Sequence, residues 1–232
     1  MSRFIRNTLL ALILPAMTGC AKATPEPSQP VVVELFTSQG CSSCPPANAT
    51  LNQLADRKDV LALSFGVIYW DYLGWKDTFA SPAYTQRQYD YAKGLHHDGV
   101  FTPQMVINGR KDTTGQSLAM VTPLIEAARK DASGPAIKLG IDKVSIAANG
   151  SQAATVWLVR YDPRVVQVPI NRGENSGRTL PHRNVVRELV RLGAFSGQTV
   201  NFTLPKASMT GLKTAILVQS GKGGPILSAT TN

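Results

Sequence analysis

Two cysteines separated by two residues, Cys41-Ser42-Ser43-Cys44, are the strongest candidates for chemistry in this sequence. The spacing brings both sulfurs to one turn at the start of a helix, where free backbone N–H groups and the helix dipole favour a thiolate. Cys41, nearer the free helix end, is the expected exposed nucleophile, and Cys44 the resolving thiol. The hydroxyls of Ser42 and Ser43 can donate hydrogen bonds to the thiolate and contact a substrate. The motif therefore predicts thiol-disulfide exchange.

Other uses of a cysteine pair remain open. A disulfide that encloses only two residues removes little entropy from the unfolded chain, so a purely structural disulfide at this position would stabilise the folded protein only weakly. A zinc site needs four ligands, and with three cysteines in the chain, His96-His97 or His182 would have to complete it. Cu(I) can be held by two thiolates alone. The alternative to an oxidoreductase is therefore a Cu(I)-binding or partner-binding module without turnover, and no further metal site is predicted.

The amino terminus is typical of an exported protein. Two arginines precede an apolar stretch from Leu9 to Ala16, which is too short to be a spanning helix. The sequence MTGC, ending at Cys20, resembles a bacterial lipobox and predicts a lipid anchor on Cys20 once a signal peptide, residues 1–19, is removed. Cleavage after Ala21-Lys22-Ala23 is the alternative and would give a soluble periplasmic protein. Both predict an oxidising compartment, in which disulfides form.

Charge and composition narrow the class of partner. The formal net charge is +9 at pH 7, but no block of lysine and arginine with interleaved aromatic residues indicates nucleic acid. The expected partner is a protein or a small thiol or disulfide. The lipid anchor on Cys20 would add the membrane surface.

Strands alternate with helices around the cysteines, which is typical of an α/β unit. A nearly continuous apolar run such as the second strand is expected where helices cover both faces of a sheet. An Asn108-Gly109 turn predicts a hairpin after the third strand. The predicted strands cover Val31 to Phe36, Val60 to Trp70 and Phe101 to Asn108, and the predicted helices start near Pro45 and cover about Ser81 to Leu95 and Ser117 to Lys130.

Beyond residue 135 the pattern changes to strands separated by Gly, Pro and Asn turns, which predicts a β-sandwich. The polar stretch from Arg172 to Arg187 is a candidate docking surface that faces the first domain. The predicted strands are Ala136 to Ile141, Ala153 to Tyr161, Arg164 to Ile170, Asn184 to Leu192, Gln198 to Leu204, Leu212 to Gln219 and Pro225 to Ala229.

Two stretches of sequence resemble the thioredoxin superfamily: VVELFTSQGCSSCPP around the cysteines and TPQMVING downstream. The resemblance implies that Pro103 is cis, lies against the cysteines and holds the substrate backbone, with Thr102 supplying main-chain contacts. It also implies that Glu34 is the buried acid that helps to move the proton of the resolving thiol. Gly40 stands where thioredoxins have Trp, which favours a restricted partner over a general reductase role.

The chain as a whole resembles DUF1223, a family of exported bacterial proteins of unknown function, over roughly residues 31 to 230. The motifs that carry this resemblance are ELFTSQGCSSCPPA, YWDYLGWKDTFASPAYTQRQ, GVFTPQMVING and GENSGRTLPHRNVV. The second motif lies in an aromatic insertion after the second strand. Trp70 and Trp75 follow the carboxyl end of that strand, the edge where the cysteines should also emerge, so they are candidate substrate-binding residues.

These observations predict an α/β thioredoxin-like domain followed by an all-β sandwich-like domain. The expected segments are a signal peptide (1–19), a Pro-rich tether (20–30), the thioredoxin-like domain with its aromatic insertion (31–133) and the β-sandwich domain (136–232).

Overall fold

The computed structural model describes Met1 and residues 29–130, 134–150 and 153–232. The predicted lipidation site at Cys20 and all of the predicted signal peptide except Met1 lie outside the described residues. None of the helices in the described ranges is long and apolar enough to cross a membrane.

The helices near the cysteines begin and end within about one residue of their predicted bounds, whereas the second strand ends at Gly66 rather than Trp70 and the third begins at Gln104 rather than Phe101. The described part of the chain contains a 3-10 turn at Asp71–Leu73 and three α-helices, α1 (Pro45–Leu54), α2 (Pro82–Gly94) and α3 (Leu118–Arg129). Its strands are β1 (Val31–Thr37), β2 (Val60–Gly66), β3 (Gln104–Ile107), β4 (Lys111–Thr113), β5 (Ile137–Leu139), β6 (Lys143–Ile146), β7 (Ala154–Asp162), β8 (Val166–Pro169), β9 (Thr179–His182), β10 (Val185–Phe195), β11 (Val200–Thr203), β12 (Lys213–Ser220) and β13 (Ile226–Thr231).

The strands are arranged differently from the prediction. Eight of them form one mixed sheet in the order β13-β12-β7-β10-β2-β1-β3-β4, and β11-β6-β5 and β8-β9 form two small sheets. The prediction of a thioredoxin-like α/β fold followed by a β-sandwich is therefore wrong, because strands from both halves of the chain share the large sheet. The sequence pattern predicts most of these strands but misses β6 and β9. It also does not show which strand covers the free edge of β2.

The junction between the two halves is a backbone connection at this edge of β2. β1 and β2 are parallel, and β10 joins β2 on its other side, also parallel, with Val185 opposite Ser64. The amide of Ser64 donates to the carbonyl of Asn184 at 3.0 Å, and the Asn184 side chain donates to the carbonyl of Ala62 at 2.8 Å. Hydrogen bonds thus continue the sheet from β2 into β10.

Side chains of β1 alternate between two cores. Val33 and Leu35 pack with α1 and α3 on one face, whereas Val32 and Phe36 pack on the other face with residues of α2, β7, β12 and β13. All seven residues of β1 are buried. The strand that leads to the cysteines is therefore held from both sides, which fixes the position of the turn that follows it.

A buried ion pair joins β1 to α2. Glu34 is fully buried and Arg87 is 5% exposed; Arg87 Nε donates to Glu34 Oε1 at 2.7 Å and Nη2 donates to Oε2 at 3.2 Å. The guanidinium also donates to Gln219 Oε1 and to the Tyr91 hydroxyl, each at 3.0 Å, and that hydroxyl donates to Glu34. The two charges are thus fully paired away from solvent.

Arg87→Met is expected to destabilise the protein by about 3–5 kcal/mol, because it leaves the carboxylate of Glu34 buried without a cation. The free energy of unfolding in denaturant measures the effect. Arg183→Met is the matched control, since Arg183 pairs with the 72% exposed side chain of Asp56 and such a pair contributes about 0–1 kcal/mol. Equal losses in the two variants would contradict the role given to the buried pair.

Candidate functional site

The CxxC motif forms a tight turn between β1 and α1, and its cysteines are joined in a disulfide with a Cα–Cα distance of 5.5 Å. The amide of Cys41 donates to the carbonyl of Ser38, and the amide of Cys44 donates to the carbonyl of Cys41, each at 3.2 Å. The predicted CxxC disulfide is thus present. The expectation of an exposed Cys41 is wrong for this form, because both cysteines are fully buried while Ser42 and Ser43 are exposed.

The first turn of α1 offers fewer backbone N–H groups to a Cys41 thiolate than a helix start usually does. Pro45 and Pro46 occupy the first two positions of α1, and proline has no backbone N–H. In the turn itself the amides of Cys41 and Cys44 donate to backbone carbonyls, and the amide of Ser42 donates to the carboxylate of Glu174. Stabilisation of a Cys41 thiolate therefore depends more on the turn and its neighbours than on the first turn of α1.

Thr102 lies beside Cys41, and Pro103 follows it in the chain. The peptide bond between them is cis. The hydroxyl of Thr102 donates to Cys41 Sγ at 3.4 Å, and the Thr102 carbonyl oxygen lies 3.9 Å from the same sulfur. Ser43 Oγ is 3.3 Å from Cys41 Sγ and 3.4 Å from the Thr102 carbonyl. Two hydroxyls thus face the sulfur of Cys41.

The two predicted substrate-binding tryptophans occupy different positions. Trp70 borders the site: its indole N–H donates to the Thr102 hydroxyl at 2.7 Å, and its ring stacks on Tyr72, which is 79% exposed. Trp75 instead donates to Gln39 Oε1 at 2.8 Å and packs on the small apolar cluster that includes Ile170. Trp70 and Tyr72 therefore form an aromatic surface beside the disulfide, whereas Trp75 stabilises the segment before the turn through its hydrogen bond to Gln39.

Asp77 supports the same turn. One of its carboxylate oxygens accepts the amide of Gln39 at 2.7 Å, and the other accepts the amide of Phe79 at 2.8 Å. The side chain is nearly inaccessible, and burial raises the pKa of Asp77 to about 6 despite these donors. An ionisable group thus holds the residue two positions before Cys41.

The ionisation of Asp77 makes stability depend on pH. A carboxyl with a pKa of about 6 in the folded protein and about 4 in the unfolded chain binds more protons when folded, so its contribution decreases as pH rises from about 4 to 6. This difference of about two in the pKa of Asp77 corresponds to about 3 kcal/mol of unfolding free energy. We expect the unfolding free energy of the wild type, minus that of Asp77→Asn, to fall by this order between pH 4 and 6. A difference that is constant with pH would refute the assignment.

The loop between β8 and β9, residues 170–178, covers the turn, and we call it the cap loop. The side-chain amide of the fully buried Asn175 donates to the carbonyls of Gln39 at 3.0 Å and Cys41 at 2.8 Å. The carboxylate of Glu174 accepts the amide of Ser42 at 2.9 Å. Glu174 belongs to the polar stretch expected to face the first half of the chain, whereas Asn175 was not predicted.

A local signal for the cap loop is present in the sequence. Asn175 stands between Gly173 and Gly177, whose φ angles are 77° and 80°, a conformation that favours glycine. Gly173 also lies against Gly40: a Cβ on Gly173 would come within 3.7 Å of the Gly40 Cα. The motif GENSG thus specifies a turn that packs closely on the CxxC segment. The sequence alone did not show that the CxxC segment is what this turn packs on.

Glu34 pairs with Arg87, and His182 packs on Phe79. Glu34 projects from β1 toward α2, while α1 packs on the opposite face of the sheet, so the structure does not bring Glu34 and the cysteines together. Burial lowers the pKa of His182 to about 4, and its ring packs edge-on against Phe79. Within the described residues, no group of three or more His, Cys, Asp or Glu side chains could hold a metal ion.

Comparison with known proteins agrees with this architecture. A crystal structure of a protein from Agrobacterium tumefaciens is 30% identical, with a TM-score of 0.74, and the match covers 89% of this chain and 95% of that one. HBP35 of Porphyromonas gingivalis is 15% identical, with a TM-score of 0.56 over 88% of this chain and 75% of that one, so it shows a similar fold only. No curated protein matches the chain. The model of the DUF1223 family, described as proteins of unknown function, matches residues 32–219, and this chain therefore belongs to that family.

Proposed function

We propose that this protein carries out thiol-disulfide exchange through Cys41 and Cys44. The observation that carries the proposal is the disulfide at the start of α1, with the Thr102 and Ser43 hydroxyls directed at Cys41 Sγ. A bridge that encloses two residues contributes little to stability, so stability alone does not account for it. The proposal concerns the local arrangement of the CxxC motif and Thr102-Pro103, and not the overall fold.

The exchange proceeds in two balanced steps. In the reduced protein, the Cys41 thiolate attacks a disulfide of the partner; a mixed disulfide forms, and the partner's other sulfur leaves with the electron pair and takes up a proton. Cys44 then loses its proton and attacks Cys41 Sγ, which releases the partner's second sulfur as a thiol. Two electrons pass to the partner, and the Cys41–Cys44 disulfide is formed. A dithiol donor returns the pair to the reduced form by the reverse steps.

The neighbours of the disulfide have distinct tasks in this reaction. The hydroxyls of Thr102 and Ser43 can donate to Cys41 Sγ when it carries charge, as attacking or leaving group. Pro103 and Thr102 present main chain beside the sulfur against which an extended partner segment can lie. Trp70 and Tyr72 offer the adjacent apolar contact. A partner with an apolar residue next to its cysteine fits this surface.

The proposal places the reaction in an oxidising compartment. The apolar amino-terminal segment and the lipobox-like sequence ending at Cys20 support export, with either a lipid anchor or a soluble periplasmic form. Metabolic labelling with a fatty acid separates the two, because only the lipoprotein is labelled and Cys20→Ser removes the label.

Turnover is the direct test of function. The purified protein is incubated with a peptide disulfide and an excess of glutathione, and reduction of the peptide is followed over time. Wild type is expected to accelerate the reaction in proportion to its concentration, and a Cys41→Ser/Cys44→Ser variant to give the uncatalysed rate. An equal rate in the two would refute an exchange enzyme; if the reduced wild type then bound Cu(I) through both thiols, the binding module would be favoured.

A further inference from the structure

The cap loop brings a negative charge to the CxxC turn from the far half of the chain. Glu174 is 132 residues from Ser42 in sequence, and its Oε2 accepts the Ser42 amide at 2.9 Å. Hydrogen bonds from the Ser42 side chain and amide hold the pKa of Glu174 below its ordinary value. The carboxylate is therefore ionised at neutral pH, one residue from the nucleophile.

The amide that Glu174 occupies is one of few that a thiolate could use. Pro45 and Pro46 remove the donors at the first two positions of α1, so the turn amides matter more here than in a helix without these prolines. A carboxylate competes for the Ser42 amide and also repels a sulfur anion. Both effects favour the protonated or disulfide-bonded form of Cys41.

The loop is held in this position by Asn175. Its side-chain amide bonds two carbonyls of the turn, and its carbonyl oxygen accepts from Arg178 Nη1 at 2.8 Å. These bonds tie the loop to the backbone of Gln39 and Cys41 whatever the charge of Glu174. Displacing Asn175 would withdraw Glu174 from the Ser42 amide and break both bonds between the loop and the backbone of the turn.

We propose that Glu174 is a positioning residue that keeps Cys41 unreactive while the cap loop is in place, so that displacement of the loop activates the thiol. This inference rests on the proposed exchange reaction and adds its regulation. The other charged residues on these two segments are Arg172 and Arg178 on the cap loop and Asp71, Lys76 and Asp77 between β2 and α2. Arg178 is engaged by Asn175, and Asp77 is bound by the amides of Gln39 and Phe79.

The test is the pKa of Cys41, measured from the pH dependence of iodoacetamide alkylation. The full chain carries Cys20→Ser and Cys44→Ser, so that Cys41 is its one thiol, and Glu174→Gln is compared with this background. Removal of the like charge is expected to lower the pKa of Cys41 by about 0.5–1 unit. Asp98→Asn is the matched control, because Asp98 is also exposed and its loss changes the net charge equally. A pKa of Cys41 that is the same in all three proteins would overturn the inference.

A second pair of variants separates the effect of the Glu174 charge from the effect of the position of the cap loop. Asn175→Ala retains Glu174 but releases the loop, and is expected to lower the pKa of Cys41 and to increase the alkylation rate of its thiolate several-fold. Asn171→Ala, at an exposed position of the same loop, should change neither. Unchanged reactivity in a folded Asn175→Ala protein would contradict the activation by loop displacement. None of these measurements needs an exchange partner, so absence of turnover leaves their outcome intact.

Discussion

Cys41→Ser is expected to abolish disulfide exchange, whereas Cys44→Ser is expected to stop the reaction at a mixed disulfide on Cys41. Cys41 has the Thr102 and Ser43 hydroxyls at its sulfur, and Cys44 is the N-cap residue of α1, so the two thiols have different surroundings. The attacking thiol forms the covalent bond to the partner and the other thiol releases it. Intact mass spectrometry of each variant after reaction with oxidised glutathione shows the adduct directly.

The controls for this asymmetry are within the same chain. Cys20→Ser removes a cysteine outside the pair and should leave turnover unchanged in detergent or in a soluble form. The adduct is compared with Cys20→Ser present in every protein, because Cys20 could otherwise take up glutathione itself. Glutathione should then remain attached to Cys44→Ser and be absent from the double variant. A stable adduct on Cys41→Ser, with none on Cys44→Ser, would reverse the assigned roles of the two cysteines.

Residues 29–133 expressed alone are not expected to fold. The core beneath α2 includes seven buried side chains from the later strands: Val159, Tyr161, Val186, Ala215, Leu217, Ile226 and Ala229. Full burial of a large apolar side chain contributes about 1.5–3 kcal/mol, so their loss removes on the order of 10 kcal/mol. That is comparable to the total stability of a typical domain, about 5–15 kcal/mol. The fragment would also lose the backbone partner of β2 and the anchor of Arg87 on Gln219.

Denaturant unfolding followed by circular dichroism distinguishes the possibilities, with residues 29–232 as the matched control. The longer chain is expected to unfold cooperatively. The fragment should show no cooperative transition and should bind a dye that recognises exposed apolar surface. A cooperative transition in the fragment would mean that the first half is an independent domain, despite the shared sheet.

Local features such as strands, helix starts and turns were predictable because residues close together in the sequence specify them. The β-branched run before the cysteines, the two prolines at the start of α1 and the Asn108-Gly109 turn each specify their own conformation. The structure contains all three, with positive φ angles at both residues of the turn. The CxxC pair was recognisable for the same reason, since its spacing alone places both sulfurs on one turn.

Partners distant in sequence were not predictable. β2 is apolar along its whole length, which indicates burial but not which strand lies beside it, and β10 pairs with it from 121 residues away, Val185 opposite Ser64. The counter-ion of Glu34 was hidden for a similar reason, because Arg87 on a helix face also suits a solvated surface. Asn175 lay in a polar, glycine-containing loop, and only the folded chain shows that its amide bonds the backbone of Cys41.

The redox equilibrium of the Cys41–Cys44 pair against defined ratios of reduced to oxidised glutathione tests the central claim most directly. The fraction of disulfide is read by trapping free thiols after equilibration of the purified protein. The account predicts a reversible two-electron transition, the same from the oxidised and the reduced side, at a potential within the range of cellular thiol couples of about −120 to −300 mV. A disulfide that stays closed at every glutathione ratio, or thiols that never reoxidise, would contradict exchange through this pair.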